Sequence, residues 1–202
     1  MTRIVAGFAG SLGLAVPKSG TRPTSDRVRE AMFSSLEALD AIAGARVLDL
    51  YAGSGALAAE AVSRGAASAV LVEQNAQAAA VCAANAAAVM KAASGAGATA
   101  TAGMRPTIEV QRSSVNAYLA REHREPFGLV FIDPPYDVHE EDLVAVLEAL
   151  TPALAQDAVV VVERSARSPE PSWPTGLESF RSKRYGETAV WFAQPAAPSQ
   201  PE

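Results

Sequence analysis

Cysteine occurs once in the 202 residues, at Cys82, so the chain can form no internal disulfide and no thiolate metal cluster. A disulfide-framed secreted scaffold is thereby excluded, and a reducing, cytoplasmic setting is expected. Histidine is nearly as scarce: His123 and His139 both sit in charged stretches and read as solvated, and no metal is called for. Long apolar runs are missing too. None reaches the roughly eighteen residues of a membrane helix, and the start "MTRIVAGFAGS" lacks the extended apolar core of a secretory leader. Nor is there a basic excess, since the net charge is −5; taken alone this argues against a nucleic-acid partner, because phosphate binding usually leaves a basic footprint.

The charge is uneven, however. Arg3, Lys18, Arg22, Arg27 and Arg29 outnumber Asp26, Glu30 and Glu37 in the first 37 positions, whereas Asp133, Asp137, Glu140, Glu141, Asp142 and Glu148 crowd a later stretch. A locally basic face on an acidic whole is therefore compatible with the composition. With 49% hydrophobic residues the length suits one well-buried domain over 1–202. It divides into an N-terminal hairpin extension (1–23), a core (24–192) and a disordered tail (193–202).

"RIVAGF" and "LGLAV", separated by glycines, predict a short hairpin. In "TRPTSDRVREAMFSSLEAL", Thr24, Ser25 and Asp26 are candidate caps, and Val28, Met32, Leu36 and Leu39 fall at helical spacing. From Arg46 the rhythm alternates. "RVLDL", "SAVLVE", "TIEVQ", "FGLVFI" and "AVVVVE" read as buried strands, with helices between them, which predicts a parallel sheet covered on both faces. "LESFRSKRYG" and "TAVWFA" have no helix between them and predict an antiparallel pair at the sheet edge. The Gly/Ala-rich stretch 92–103 reads as a flexible loop. Trp173 reads as core or edge packing.

Two motifs carry chemistry. In "LDLYAGSGALAAE", Gly53 and Gly55 lie in a strand-to-helix turn where backbone can approach a ligand, although a turn needed only for packing has the same look. The G-x-G-x-x-A spacing also fits a dinucleotide site, with Glu73 at the distance of a ribose-binding acid. Asp49 separates the candidates: a carboxylate before the turn repels a pyrophosphate but attracts the amino and sulfonium charges of S-adenosyl-L-methionine. Capping of the following turn is its structural alternative.

The second motif is "IDPPY". Pro134 and Pro135 cannot donate ladder hydrogen bonds, so the strand must end there in a stiff corner. Asp133 and the Pro134 carbonyl can accept the two hydrogens of an exocyclic amine, and Tyr136 can stack on its base. Such an amine is a poor nucleophile, because its lone pair is delocalised into the ring. Fixing both N–H groups favours a pyramidal nitrogen aimed at an electrophilic methyl.

Together, "RIVAG", "TRPTSDRVREAMFSSL", "LDLYAGSGALAAEAVSRGA", "LVEQN", "FIDPPY" and "GETAVWF" resemble the bacterial 16S rRNA guanine-N2 methyltransferase family of the small ribosomal subunit, over nearly the whole chain. The resemblance implies an α/β, doubly wound, Rossmann-like class I S-adenosylmethionine-dependent methyltransferase fold, with a mostly parallel seven-stranded sheet and an N-terminal β-hairpin plus helix. It assigns Asp49, Gly53 and Gly55 to the methionine end of the cofactor, with Ser54 also cofactor-binding, Glu73 to the ribose, and Asp133, Pro134 and Tyr136 to the target amine. It places Thr24 near the cofactor and Arg22 and Arg29 on RNA phosphates or the pocket mouth, a solvated helix face being the alternative for either arginine. Ser114 stands where relatives carry Asp or Asn toward the adenine amine; a hydroxyl accepts more weakly, which leaves a backbone group as an alternative contact. The implied partner is 16S rRNA, within a 30S subunit or assembly intermediate. Asp-Pro-Pro-Tyr is shared with adenine-N6 methyltransferases of DNA or RNA, so that activity is the alternative. A NAD-dependent oxidoreductase and a non-catalytic assembly module are remoter ones.

Overall fold

The computed structural model describes residues 2–17, 26–97, 105–122, 125–135 and 137–197. The chain runs β1 (Thr2–Arg3), β2 (Gly13–Leu14), α1 (Asp26–Ala38), β3 (Arg46–Leu50), α2 (Ala56–Ser63), β4 (Ser68–Val72), α3 (Ala76–Ala96), β5 (Thr107–Gln111) and α4 (Val115–Leu119). It continues through β6 (Phe127–Ile132), α5 (Glu140–Leu150), β7 (Leu154–Ser165), β8 (Leu177–Tyr185) and β9 (Thr188–Pro195). Seven strands form one sheet in the order β5-β4-β3-β6-β7-β9-β8. Pairing is parallel from β5 to β7, and antiparallel between β7 and β9 and between β9 and β8. The chain winds outward from β3 through β4 to β5, then returns to place β6 on the other side of β3. Such a reversal opens a crevice beyond the carboxyl ends of the two strands that flank it.

Each central strand is apolar on both faces because each face is covered. Val47, Leu129, Phe131 and Val161 join α1, α2 and α3 in one core; Leu48, Leu50, Val130, Ile132, Val160 and Val162 join α4 and α5 in the other. Helix α1 seats Val28, Met32, Phe33 and Leu36 on the sheet, with the Phe33 and Phe131 rings 5.6 Å apart between centroids in a tilted pair. Trp173 packs against the second core and donates from Nε1 to Glu170 at 3.1 Å, in keeping with the packing role expected of it.

The N-terminal hairpin is smaller than its sequence suggests: its strands hold only two residues each. The intervening chain instead binds helix α2 through side chains. Buried Glu60 accepts from the N–H groups of Val5 (2.7 Å) and Ala6 (3.0 Å) and from Arg64 Nε (2.7 Å). Ser63 donates to the Ala6 carbonyl at 2.6 Å and accepts from Ala9 N–H at 3.0 Å. Gly7, at φ 82°, lies so close that a Cβ would come within 1.8 Å of the Ser63 carbonyl oxygen. No other residue fits there.

Two boundaries and one reading of segment length differ from expectation. Helix α3 continues through Lys91–Ala96, where the Gly/Ala-rich loop was expected to begin, and closes at Gly97 in the left-handed conformation (φ 62°). Alanine's helix propensity outweighs exposed Gly95, and residues 98–104 lie outside the described part. Strand β9 runs to Pro195, past the expected end of the core at 192. Finally, α3 is 21 residues long and apolar enough to cross a membrane by length and composition, which corrects the reading that no segment reaches that length. It is instead a core helix: its Cys82 and Val89 are fully buried in the first core, and Asn85 is hydrogen-bonded to the hairpin.

Removing Glu60 leaves the Val5 and Ala6 N–H groups without their acceptor and takes away the buried carboxylate that Arg64 Nε donates to and that stands 3.8 Å from Arg29 Nε. Glu60→Ala is expected to cost about 3–5 kcal/mol, as for other broken buried ion pairs, seen as a lower urea midpoint at unchanged slope. A loss below about 1 kcal/mol, within the range of exposed pairs, would show that the strap adds little.

Candidate functional site

A cavity of about 310 Å³ opens at the topological reversal, at the lower end of the size range of ligand pockets. Every parallel strand bordering it, except edge strand β5, brings a carboxylate: Asp49 from β3, Glu73 just after β4, Asp133 just after β6 and Glu163 from β7. The register pairs Leu50 with Val72 and with Ile132, so the glycine turn, Glu73 and the proline corner all leave the sheet at one level.

The glycine turn is built by strain and packing together. Tyr51, Gly53 and Gly55 all have positive φ (64°, 55° and 74°). A Cβ on Gly55 would lie 2.6 Å from Leu71 and 2.9 Å from Cys82 Sγ. Thus Gly55 is dictated by the core beneath it as much as by a ligand above, and the packing alternative for this glycine is part of the answer. Glu73 pins the turn from the next strand: Oε2 accepts from Gly53 N–H at 2.9 Å and Oε1 from Asn75 N–H at 2.7 Å. An ionised carboxylate has lone pairs left after two such bonds, so Glu73 is fixed in place and still able to accept ribose hydroxyls. Ser54 lines the cavity, and its carbonyl accepts from Asn85 Nδ2 at 2.8 Å. Asn85 also exchanges hydrogen bonds with Ala15 N–H and carbonyl, tying the turn to the hairpin.

Asp49 is 1% exposed. Its Oδ2 accepts from Ala58 N–H in the first turn of α2 at 3.2 Å, so the capping role is real and coexists with its place in the cavity wall. Burial pushes its pKa from 3.8 to about 7, the Ala58 N–H offsets part of the rise, and Glu73 adds to it. Asp133 lies well above the carboxylate range, chiefly through burial and further through Glu163 and Asp49. These acids crowd one another in a poorly solvated space. Among the described residues the lining holds two arginines: Arg29, which is committed to acids of its own, and Arg164, whose Nη2 donates to the Val138 carbonyl. A pyrophosphate is repelled by such a wall and a cation attracted. The residues therefore fit a cofactor with an amino group and a sulfonium, flanked by a ribose, and disfavour a dinucleotide.

Not every expected residue belongs here. Arg29 is 1% exposed: its guanidinium donates to Thr2 Oγ1 at 2.8 Å, to Asp26 Oδ1 at 2.8 Å and to the Arg3 carbonyl, with Nε 3.8 Å from Glu60. It borders the cavity but joins hairpin, α1 and α2, and the reading of it as a phosphate contact is corrected by that burial. Ser114 is exposed and caps α4 by accepting from Ala117 N–H at 3.3 Å. Its neighbours Ser113 and Val115 line the cavity instead, because the strand-like Ser114 backbone turns its hydroxyl toward the helix. Thr24, Arg22 and Tyr136 lie outside the described residues. Sequence reading missed Glu163 and Arg164. The signal for Glu163 was present, since "VVVE" ends in an acid just as "VLVE" and "VFID" do.

The family model described as Conserved hypothetical protein 95 matches residues 2–194. The Ribosomal RNA small subunit methyltransferase D of Escherichia coli K12 is 33% identical over 189 residues, covering 93% of this chain and 86% of that protein. The enzyme of the same name from Haemophilus influenzae is 30% identical, with 89% and 91% covered. Among solved structures, the Escherichia coli protein yhhF, a candidate methyltransferase by its description, superposes with a TM-score of 0.79 at 32% identity over 97% of this chain and 98% of that one. The seven-stranded α/β architecture is that of the class I, S-adenosylmethionine-dependent methyltransferases. With a reversal-point cavity walled by acids and a likeness to the Ribosomal RNA small subunit methyltransferases D spanning nearly its full length, the chain belongs to the Conserved hypothetical protein 95 family.

Proposed function

We propose that the protein transfers a methyl group from S-adenosyl-L-methionine to the exocyclic N2 amine of one guanine in 16S rRNA, with that guanine turned out of its stack. The observation that carries this reading is the shared cavity of Asp49, Glu73 and the Asp133–Pro134 corner. A rRNA methyltransferase is what the names of the relatives describe; the base and the atom are the finer step, supported by the chemistry of the corner.

When bound, the cofactor supplies a methyl made electrophilic by positive sulfur, so the protein's part is orientation and electrostatics. Asp49 faces the cationic methionine end, and Glu73, held by Gly53 and Asn75, accepts from the ribose. Asp133 and the Pro134 carbonyl accept the two amine hydrogens and set the nitrogen lone pair in line with the methyl. On taking up the methyl, the amine nitrogen would have to shed a proton. A carboxylate with raised proton affinity, as at Asp133, is suited to receive it. Extruding the base costs about a few kcal/mol, and stacking on Tyr136, worth about 1–3 kcal/mol per base in single-strand binders, offsets much of that.

RNA approach is supported by strand β8, where Arg181, Lys183 and Arg184 follow one another near an exposed Phe180. Arg184 and Arg164 both pair with Ala189 in register, which puts this basic edge at the level of the cavity. Thr24 beside the cofactor and Arg22 on RNA remain part of the proposal. Since the whole chain is acidic, a cytoplasmic ribonucleoprotein, a 30S subunit or its precursor, is the proposed substrate.

Incubating the protein and labelled cofactor with 30S particles from cells lacking the enzyme should place label in N2-methylguanosine of 16S rRNA. Label in N6-methyladenosine, or none, would contradict the proposal. Asp133→Ala should abolish transfer with cofactor affinity nearly intact; parallel loss of both would remove Asp133 from the amine.

Cofactor binding should also depend on pH. Because the folded Asp49 pKa lies above its ordinary 3.8, folding favours the neutral acid. That stability is complete below pH 3.8 and is lost as pH rises toward 7. A cationic ligand needs the ionised form. Affinity for S-adenosylmethionine should therefore climb by up to about tenfold per pH unit below 7 and flatten above it, and Asp49→Asn should remove the slope. Calorimetry showing the same profile in both proteins would separate Asp49 from the cation.

A further inference from the structure

The side of the proline corner that faces α5 has no role in the mechanism above. Ile132 ends β6 on that face, packed with Val162 and with Leu143 and Leu147 of α5, whereas strand alternation aims Asp133 at the other face. Pro134 and Pro135 have no N–H with which to tie the chain down as it leaves the sheet. Instead the Pro135 carbonyl accepts from Val138 N–H at 3.1 Å. Arg164 reaches the same residue from β7. Alternation places it on the α5 face with Val160 and Val162, and its Nη2 donates to the Val138 carbonyl at 2.9 Å. The corner is thus anchored twice: Ile132 is paired with Leu50 and Val162 in the sheet, and Pro135 is linked through Val138 to Arg164.

Two observations set this second anchor apart from ordinary packing. Arg164 Nη1 is buried and has no hydrogen-bond partner among the described residues, a costly arrangement that stability alone does not favour. Tyr51, which follows Leu50 and so stands level with Asp133, holds a left-handed backbone (φ 64°) that is strained for an aromatic residue, and its ring packs against the second core. Burial pushes the Tyr51 hydroxyl up in pKa, Asp142 adds to the rise and Arg164 opposes it, so the charge of Arg164 is felt at this ring. Tyr51, Arg164, Pro134 and Pro135 all line the one cavity.

We propose that Arg164 is a positioning residue for methyl transfer: by holding the Val138 carbonyl it fixes Pro135, and with it the direction in which the Pro134 carbonyl and Asp133 meet the target amine. Arg164 itself stays on the α5 side and touches no reacting atom. The prolines make the link effective, because their locked φ angles leave few torsions to absorb a displacement. A misplacement of about 1 Å at reacting groups costs on the order of a hundredfold in rate. The inference deepens the proposed function and rests on the corner holding the amine.

The test measures kcat and KM on 30S particles from cells lacking the enzyme, together with calorimetric affinity for S-adenosylmethionine. Arg164→Met keeps an apolar stem but has no donor, so kcat should fall at least about tenfold, with KM and cofactor affinity unchanged. In Arg164→Lys the ammonium can donate to the same carbonyl, and most of the lost kcat should return. A merely structural role would lower cofactor affinity along with kcat, because both prolines and the cofactor-facing residues share the cavity wall. A wild-type kcat in Arg164→Met, a parallel loss of cofactor affinity, or Arg164→Lys as slow as Arg164→Met overturns the inference and leaves methylation standing. Absence of transfer by the wild-type protein overturns the proposed function itself, and this positioning with it. Should Arg164→Met fail to fold, Arg164→Gln, whose shorter side chain falls short of the Val138 carbonyl, takes its place and is read by the same outcomes.

Discussion

The constraint on which the structure turns is electrostatic: four carboxylates at the ends of adjacent strands wall one cavity, and among the described residues two arginines share its lining with them. Burial first, and the neighbouring acids second, disfavour the ionised forms of Asp49 and Asp133, and their raised pKa values express that cost. The cavity is preorganised for what would relieve it. A cation beside Asp49 and N–H donors beside Asp133 would each convert a repulsive contact into an attractive one, which in the proposed reaction would concentrate binding free energy at the reacting groups.

Everything around the cavity serves to fix those acids. Glu73 is held by two backbone N–H groups, Asp49 by the start of α2, and the glycine turn by Asn85 from α3. Helix α2 is itself clamped from outside by the hairpin through Glu60, Ser63 and Arg29. The N-terminal segment, whose strands barely exist as a hairpin, therefore acts as a strap that transmits rigidity to the turn. Buried ion pairs often contribute little net stability, and positioning is the better explanation for keeping this one.

Much of this was legible in the residues. The alternation of short apolar runs with helical stretches gave the parallel sheet, and β3 begins and ends where "RVLDL" does. Asp49, Gly53, Ser54, Glu73, Asp133 and Pro134 reach one cavity as their motifs implied, because strand ends are positions that topology brings together. Two readings met tertiary contacts that no local pattern shows, and one residue was missed. Arg29 looks like a free cation on a helix until Glu60 arrives from another helix, and Ser114 looks like a ligand contact until α4 takes its oxygen. Arg164 carries no local motif at all. One of its buried nitrogens has no hydrogen-bond partner among the described residues, in a wall assembled from separate strands, and no linear pattern encodes that.

The central claim is that the proline corner and the cofactor's methyl share this cavity face to face. A crystal structure of the protein with S-adenosylmethionine measures it directly. The amino group is predicted on Asp49, the ribose hydroxyls on Glu73 and the methyl pointing at the Asp133–Pro134 corner. A cofactor seated with its methyl turned away from that corner, or with no open path for a base between them, would contradict the claim.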